Sequence, residues 1–247
     1  MFGFARQQPP LLGIDIGSAA VKLLELGPAA AKRASKGLEP LRVEALALEP
    51  LPPNAVVEKK IADVAQVGQA IARALRRSGS KTKRAAVAVA GSAVMTKILS
   101  LSADLSEAEM EAQIQLESDQ YVPYPLDEVN LDFEVIGPTP GAHDKVDVLL
   151  AASRREHIDD RVAALAQAGL SAVIVDIESN AVETACGALL AHLGPGTQPG
   201  TSRLTAVADI GATTTTLHVL HAGQSIYTRE QSLGGQQLIA EVQRRAD

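Results

Sequence analysis

The sequence has few aromatic residues. Of its 247 residues three are Phe, three are Tyr and none is Trp. So few rings cannot build a base-stacking platform for single-stranded nucleic acid. The 23 basic and 29 acidic residues give a net charge of −6, which argues against a protein that mainly binds phosphate backbones. With 46% apolar and 21% charged residues, the chain is predicted to be globular, with one or two domains.

The sequence contains a single cysteine. Because Cys186 is the only cysteine, neither an intramolecular disulfide nor a thiolate zinc site can form. Val182, Leu189 and Leu193 share its predicted helix face. Cys186 is therefore expected to be a small buried hydrophobe.

Long apolar segments are also missing. No apolar run reaches the roughly 18 residues that a membrane-spanning helix needs. The first ten residues, MFGFARQQPP, lack the apolar core and cleavage site of a secretory signal. The chain is therefore expected to be cytoplasmic, and a membrane association would have to come through a partner.

The first part of the chain alternates strand and helix patterns, which favours an α/β layer architecture. The pattern predicts strands over 11–16, 20–26 and 41–48, a proline-rich loop over 50–54, a helix over 60–77 and a strand over 85–90. The order β-β-β-α-β is thus expected before residue 94.

The middle of the chain forms a β-α-β-β-α pattern that is compact enough to be an insertion. Ser106 and Glu109 form a capping box, S-x-x-E, at the start of its first helix. The predicted segments are a strand over 94–101, a helix to about 119, an extended stretch over 121–125, strands over 129–136 and 145–152, and a helix over 156–168 ending at Gly169.

The last part of the chain returns to the α/β pattern. The predicted segments are a strand over 172–177, a helix over 178–191, a linker over 194–202, strands over 204–210, 213–220 and 224–231, and a helix over 236–245.

Two segments share one unusual pattern, an apolar strand that ends in Asp-Ile-Gly, a small turn and a second strand. A glycine turn lets backbone N–H groups approach an anion closely. Hydroxyl groups in the turns would add donors, Lys22 would supply a positive charge, and Asp15 and Asp209 would hold the waters of a Mg²⁺ ion. The predicted phosphate and metal site comprises Asp15, Gly17, Ser18, Lys22, Asp209, Gly211, Thr213 and Thr214.

Other common site motifs are missing from the sequence. It contains no G-x-G-x-x-G, no G-x-x-x-x-G-K-[ST] and no G-x-S-x-G. Dinucleotide-binding, P-loop and α/β-hydrolase interpretations therefore have no support.

The two Asp-Ile-Gly hairpins resemble the phosphate-1 and phosphate-2 loops of the superfamily of actin, heat-shock chaperones and sugar kinases. Residues 176–181 fall where that superfamily has its first connecting helix. The stretches 12–26, 121–135 and 166–178 resemble more closely the PilM family of type IV pilus assembly proteins, which is related to the division protein FtsA.

This resemblance implies an actin-like, ribonuclease-H-like α/β ATPase fold of the FtsA type. Residues 8–93 and 171–200 would form subdomain 1A, residues 94–170 the inserted subdomain 1C, and residues 201–247 the start of subdomain 2A. Family members continue through subdomain 2B, which carries the adenosine-binding motif. The resemblance thus implies binding of ATP with Mg²⁺, weakened here by the missing region, and at most a weak ATPase activity with no firm catalytic residue.

The resemblance also implies a protein partner. PilM proteins dock the cytoplasmic N-terminal tail of the inner-membrane protein PilN in a groove between 1A and 1C, for which Tyr121 and Tyr124 are candidate lining residues. The chain would then lie at the cytoplasmic face of the inner membrane and take part in pilus assembly and twitching motility.

Two alternatives stay open at this point. One is the cytoplasmic domain of a type II secretion protein like GspL, and the other is a sugar kinase of the actin superfamily. The kinase would need a sugar pocket with a catalytic carboxylate, for which the sequence shows no candidate motif.

Overall fold

The computed structural model describes residues 9–29, 41–192 and 204–246. The chain divides into two compact units. Unit 1 consists of Met1–Ala88 and Asp160–Asp247, and unit 2 of Val89–Asp159. The assignment of subdomains 1A, 1C and 2A stays a prediction.

The described residues form thirteen β-strands and five α-helices. The strands are β1 (Leu12–Ile16), β2 (Ala20–Pro28), β3 (Leu41–Pro50), β4 (Val56–Val57), β5 (Lys60–Ile61), β6 (Arg84–Val89), β7 (Val94–Ser102), β8 (Val129–Pro138), β9 (Lys145–Arg154), β10 (Ser171–Ile177), β11 (Leu204–Ile210), β12 (Thr215–His221) and β13 (Gln224–Gln231). The helices are α1 (Val64–Ser78), α2 (Glu107–Glu117), α3 (Arg155–Gln167), α4 (Glu178–His192) and α5 (Gly235–Ala246).

Unit 1 contains a five-stranded sheet in the order β10-β6-β1-β2-β3. Strands β1 and β2 form an antiparallel hairpin, and β6 lies parallel to β1. Because side chains alternate along a strand, Leu12 and Leu23 point into the core, where Val67 and Ile71 of α1 pack against them. Burial of this one sheet face by α1 supplies the main core of the unit.

The start of α1 corrects the sequence prediction. The helix begins at Val64 and not at Lys60, because Asp63 is its N-cap and accepts a hydrogen bond from the Gln66 N–H at 2.9 Å. The two residues predicted as helix, Lys60 and Ile61, instead pair with β4 in a short antiparallel hairpin.

The second sheet of unit 1 has the order β11-β12-β13, and all of its strands are antiparallel. Strand β12 begins at Thr215, two residues later than predicted, because Gly211 donates its N–H to the Thr214 carbonyl at 2.9 Å and closes a turn before it. Helix α5 begins at Gly235, close to the predicted position.

Unit 2 consists of the antiparallel sheet β7-β9-β8 with α2 on one face. Its core contains Leu99 and Leu150 from the sheet together with Met110 and Ile114 from α2. The predicted capping box at Ser106 and Glu109 is confirmed, since both of its reciprocal hydrogen bonds are present. The helix ends at Glu117 and a short 3₁₀ turn follows.

The extended conformation predicted for residues 121–125 is wrong at Tyr121. This residue has φ −117° and ψ −32°, in the helical region, because its N–H closes the 3₁₀ turn onto the Ser118 carbonyl at 2.9 Å. Proline restricts only the residue directly before it, so Pro123 and Pro125 place no such limit on Tyr121.

The environment of Cys186 also differs from the prediction. Cys186 is half-buried, and Leu189 on the predicted apolar face is 64% exposed. Strands β10 and β13 pack against α4, and part of the helix surface stays open to solvent. Leu193 and the predicted linker over 194–202 lie outside the described residues.

Among the described residues, no helix combines the length and apolar character required to cross a membrane.

Candidate phosphate site between two hairpins

The first Asp-Ile-Gly segment forms the β1–β2 hairpin. Asp15 lies directly opposite Lys22 in the strand register, and the Lys22 Nζ donates to Asp15 Oδ2 at 2.6 Å. Both side chains are more than half exposed, because they project from the face of the sheet opposite to the core residues Ile14 and Val21. The hairpin thus presents an exposed ion pair beside its turn.

The electrostatic surroundings of Lys22 show which carboxylates lie near it. The hydrogen bond that Lys22 donates to Asp15 raises the pKa of Lys22 above its ordinary value, while burial acts in the opposite direction. The charges of Asp15, Asp209 and Glu178 raise the pKa further. Lys22 therefore lies within range of the charges of these three carboxylates, of which Glu178 is also paired with Lys59 at 3.0 Å.

The second Asp-Ile-Gly segment forms the β11–β12 hairpin, and its turn meets the first one. Ser18 Oγ and Thr213 Oγ1 are hydrogen-bonded at 2.9 Å although they lie 195 residues apart in the sequence. The structure therefore brings the two predicted phosphate turns into direct contact within unit 1.

The glycines of these turns have little space around them. A Cβ on Gly211 would lie 3.0 Å from the Thr214 carbonyl oxygen, and one on Gly17 would lie 3.3 Å from the Ala20 carbonyl oxygen. Both distances are shorter than ordinary van der Waals contacts. A side chain at either position would therefore press against the backbone that closes its turn.

A third glycine, Gly234, supports the second turn. A Cβ there would lie 2.5 Å from the carbonyl carbon of Ala212. The next two residues, Gly235 and Gln236, donate their N–H groups to the carbonyls of Gly211 and Ala212 at 3.0 and 2.9 Å. The start of α5 is therefore fixed against the turn. The sequence pattern indicated only that a helix begins here.

A pocket of about 440 Å³ opens beside the two turns. Three of the predicted residues, Ser18, Thr213 and Thr214, supply hydroxyl groups to it. The other residues that line the pocket could not be predicted, because residue spacing in the sequence does not indicate which surface a loop such as the one after β3 faces. This lining consists of Ala19, Leu51, Pro52, Pro53, Asn54, Val56, Val57, Glu58, Ser232, Gln236 and Gln237.

The donor set agrees with a magnesium ion that keeps its water shell. Mg²⁺ in nucleotide sites is typically bound by one or two carboxylates, waters and phosphate oxygens. Asp15 and Asp209 would provide the carboxylates, next to hydroxyl donors that suit phosphate. In the part of the chain that the structure describes, no three His, Cys, Asp or Glu side chains are grouped for direct coordination.

The two tyrosines predicted to line a peptide groove have different environments in unit 2. The Tyr121 ring is half-buried against the core, and the Lys97 Nζ lies 3.6 Å from its centroid. Tyr124 is 46% exposed, and the Arg154 guanidinium carbon lies 5.3 Å from its ring centroid. Of the two, Tyr124 offers the more accessible aromatic surface.

The chain matches a known protein family over most of its length. The model of the family described as Type IV pilus assembly protein PilM matches residues 13–247. The chain belongs to the PilM family. The family assignment confirms the resemblance seen in the sequence, and the α/β fold is that of the actin-like ATPases, as predicted.

Among solved structures, the chain is similar to one described as a PilM-PilN type IV pilus biogenesis complex. The two are 29% identical with a TM-score of 0.74, and the match covers 95% of this chain and 65% of that chain. The chain thus spans less than two thirds of the length of this PilM-family relative.

Two more distant structures are also similar. The ethanolamine utilization protein EutJ from Carboxydothermus hydrogenoformans is 16% identical, with 98% of this chain and 59% of that chain covered and a TM-score of 0.48. The cytoplasmic domain of EpsL, an inner-membrane component of the type II secretion system of Vibrio cholerae, is 11% identical, with 94% and 74% covered and a TM-score of 0.48.

Proposed function

We propose that this PilM-family chain is a nucleotide-binding scaffold of the type IV pilus assembly machinery, which holds the phosphates of ATP with Mg²⁺ between its two hairpins. The observation that supports this most strongly is the 2.9 Å contact between Ser18 and Thr213, which joins the two turns beside a pocket of about 440 Å³.

Each part of the site has a distinct role in this proposal. The N–H groups of Gly17 and Gly211 close the two turns, and the other backbone N–H groups and the hydroxyls of the turns face the phosphate oxygens in this proposal. Lys22 supplies the positive charge, and Asp15 holds its Nζ in position until phosphate oxygens share it. Asp15 and Asp209 would hold the waters of a Mg²⁺ ion, which would neutralise the charge of the phosphates. These residues bind and orient, and none is assigned a catalytic role.

Removal of either aspartate tests the nucleotide site. Asp15→Ala and Asp209→Ala should abolish Mg-ATP binding in isothermal titration calorimetry. The melting temperature of Asp15→Ala without ligand should barely change, because an exposed ion pair contributes only about 0–1 kcal/mol. Asp104→Ala, at an exposed aspartate of unit 2, is the matched control and should bind like the parent. Parent-like binding by both site variants would refute the paired-hairpin site.

We further propose that the chain docks the cytoplasmic N-terminal tail of PilN, which would place it at the cytoplasmic face of the inner membrane. The similarity to a structure described as a PilM-PilN complex supports this proposal. An extended tail would pair its main chain with exposed backbone and place apolar side chains in pockets. Such a short segment buries little surface, below roughly 1,200 Å² in total, so moderate affinity is expected.

Fluorescence anisotropy of a labelled PilN N-terminal peptide tests the docking proposal. The chain should bind the peptide, and Tyr124→Ala should weaken binding about tenfold if the exposed ring is an anchor. Tyr227→Ala is the matched control, because Tyr227 in unit 1 has a similar exposure of 48%. Absence of binding by the well-folded parent chain would refute docking, and equal effects of the two variants would refute the role of Tyr124.

A further inference from the structure

Lys59 occupies a position that normally favours glycine. It is the second residue of the two-residue turn between β4 and β5, and both turn residues, Glu58 and Lys59, have positive φ angles of 48° and 63°. Turns of this kind prefer Gly, which has no Cβ, and Asn, which tolerates the left-handed conformation better than most other residues. Residues with strained backbone conformations often occur at functional sites, which suggests a role for the lysine side chain.

The side chain of Lys59 bridges two elements that are distant in sequence. Its Nζ lies 3.0 Å from Glu178 Oε2 at the first residue of α4 and 2.7 Å from Glu230 Oε2 on β13. The lysine side chain is only 17% exposed. Burial acts to lower the pKa of Lys59, but the hydrogen bonds and charges of the two glutamates outweigh it and raise the pKa. We call this arrangement the Lys59 bridge.

The backbone of the same turn is fixed from another direction. Arg161 on α3 is buried, and it donates from Nη2 to the Lys59 carbonyl at 3.2 Å and from Nε to the Ala88 carbonyl at 2.8 Å. Val56 and Ile61, which flank the turn, belong to the main core. The turn is therefore anchored to the five-stranded side of unit 1, and its lysine reaches the three-stranded sheet.

Other hydrogen bonds accompany the Lys59 bridge in joining the two sides of unit 1. Ser18 contacts Thr213 between the turns, and the Ser225 N–H donates to Glu183 Oε2 of α4 at 2.8 Å. The β4–β5 hairpin also supplies pocket wall through Val56, Val57 and Glu58. A change in the bridge would therefore act on the same hairpin that lines the pocket.

We propose that Lys59 is a positioning residue, whose bridge to Glu178 and Glu230 holds the three-stranded sheet against the pocket wall and thereby slows the release of a bound nucleotide. The part that concerns nucleotide rests on the proposed function. The part that concerns the two sheets does not, because it applies to the chain without ligand.

The ligand-free part is tested by amide hydrogen exchange, measured by NMR. The Ser225 N–H reports separation of β13 from α4, since its acceptor lies on α4. In Lys59→Met, which removes both ion pairs, and in Glu230→Gln, which removes one, exchange at Ser225 should be at least about fivefold faster. Lys60→Met, at the exposed neighbouring lysine, should leave the rate unchanged. An unchanged rate in both bridge variants would overturn the proposal.

The variant Lys59→Gly distinguishes the effect of the ion pairs of Lys59 from the effect of its strained backbone conformation. Glycine adopts the positive φ without strain, so this variant should melt at or above the parental temperature while Ser225 still exchanges faster. If Lys59→Gly is more stable than the parent and the Ser225 amide exchanges at the parental rate, the ion pairs of Lys59 do not hold β13 against α4. That result would contradict the proposal.

The nucleotide part is measured separately, by stopped-flow release of a fluorescent ATP analogue with Mg²⁺. Release should be about fivefold faster from Lys59→Met and Glu230→Gln than from the parent. If the parent binds no nucleotide but the Ser225 amide exchanges faster in the bridge variants, the proposed nucleotide binding is wrong and the structural role of the Lys59 bridge is supported. If the parent binds nucleotide and both bridge variants have the parental Ser225 exchange rate and the parental nucleotide release rate, the role of the Lys59 bridge is wrong and the proposed nucleotide binding is supported.

Discussion

At the scale of single residues, Gly234 shows how a local steric limit supports the candidate site. A side chain there would collide with backbone atoms of the second turn, with its Cβ 2.5 Å from the carbonyl carbon of Ala212. Backbone cannot move aside as a flexible side chain can, so a substitution must displace either the turn or the start of α5.

We therefore expect Gly234→Ala to lower the free energy of unfolding by about 1–3 kcal/mol, the usual range for overpacking. Gly187→Ala is the control, because a Cβ at this helical position meets no atom within 4 Å and alanine favours helix. The control should be neutral or stabilising by about 1 kcal/mol at most. Urea unfolding measures both changes, and equal effects would contradict the steric argument.

The candidate site also shows which residues a sequence can reveal. The Asp-Ile-Gly repeats carry a local chemical pattern, so residues such as Asp15 and Asp209 could be identified from it. Lys59 could not, because its partner Glu178 lies 119 positions away and no spacing rule joins them. The same holds for Gly234, whose constraint comes from the fold around it.

At the scale of elements, a pair of arginines fixes α1 to the edge strand β3. Glu49 on β3 accepts from Arg73 Nε at 2.7 Å and from Arg77 Nη1 at 2.9 Å. Hydrogen bonds from Arg73 and then Arg77 hold the pKa of Glu49 below its ordinary value of 4.5. The ionised carboxylate thus stabilises the folded state where the unfolded chain is also ionised, above about pH 4.5.

This contribution should disappear in acid. As the pH falls below 4.5 and through the lowered pKa of the folded state, Glu49 takes up a proton and the stabilisation is lost. Glu49→Gln should therefore be less stable than the parent at pH 7, and the difference should shrink towards pH 3. Urea unfolding at both pH values measures this. A difference that is the same at both would show that Glu49 acts through packing and not through its charge.

Helix and strand patterns were mostly predictable, and the differences have local causes. The predicted start of α1 is too early because the apolar spacing from Ile61 continues that of α1, while the Asp63 cap decides where the helix begins. The half-buried environment of Cys186 could not be predicted, because it depends on which elements cover α4 and not on the helical spacing of its apolar residues.

At the scale of the whole molecule, the α/β alternation predicted the fold class, and the resemblance to the PilM family predicted the actin-like arrangement. Chain order alone could not show that the two hairpins meet. Residues 195 positions apart come into contact only when both halves of unit 1 pack together, as Ser18 and Thr213 do. The family assignment and this contact together support the central claim that the two turns receive the phosphates of one nucleotide.

The most direct test of that claim is an NMR titration of the isotope-labelled chain with Mg-ATP. We expect the backbone amides of both turns, at Gly17, Ser18, Gly211 and Thr213, to shift together along one binding curve, and we expect much weaker shifts without Mg²⁺. Shifts confined to one turn, or shifts only elsewhere in the chain at millimolar Mg-ATP, would contradict it.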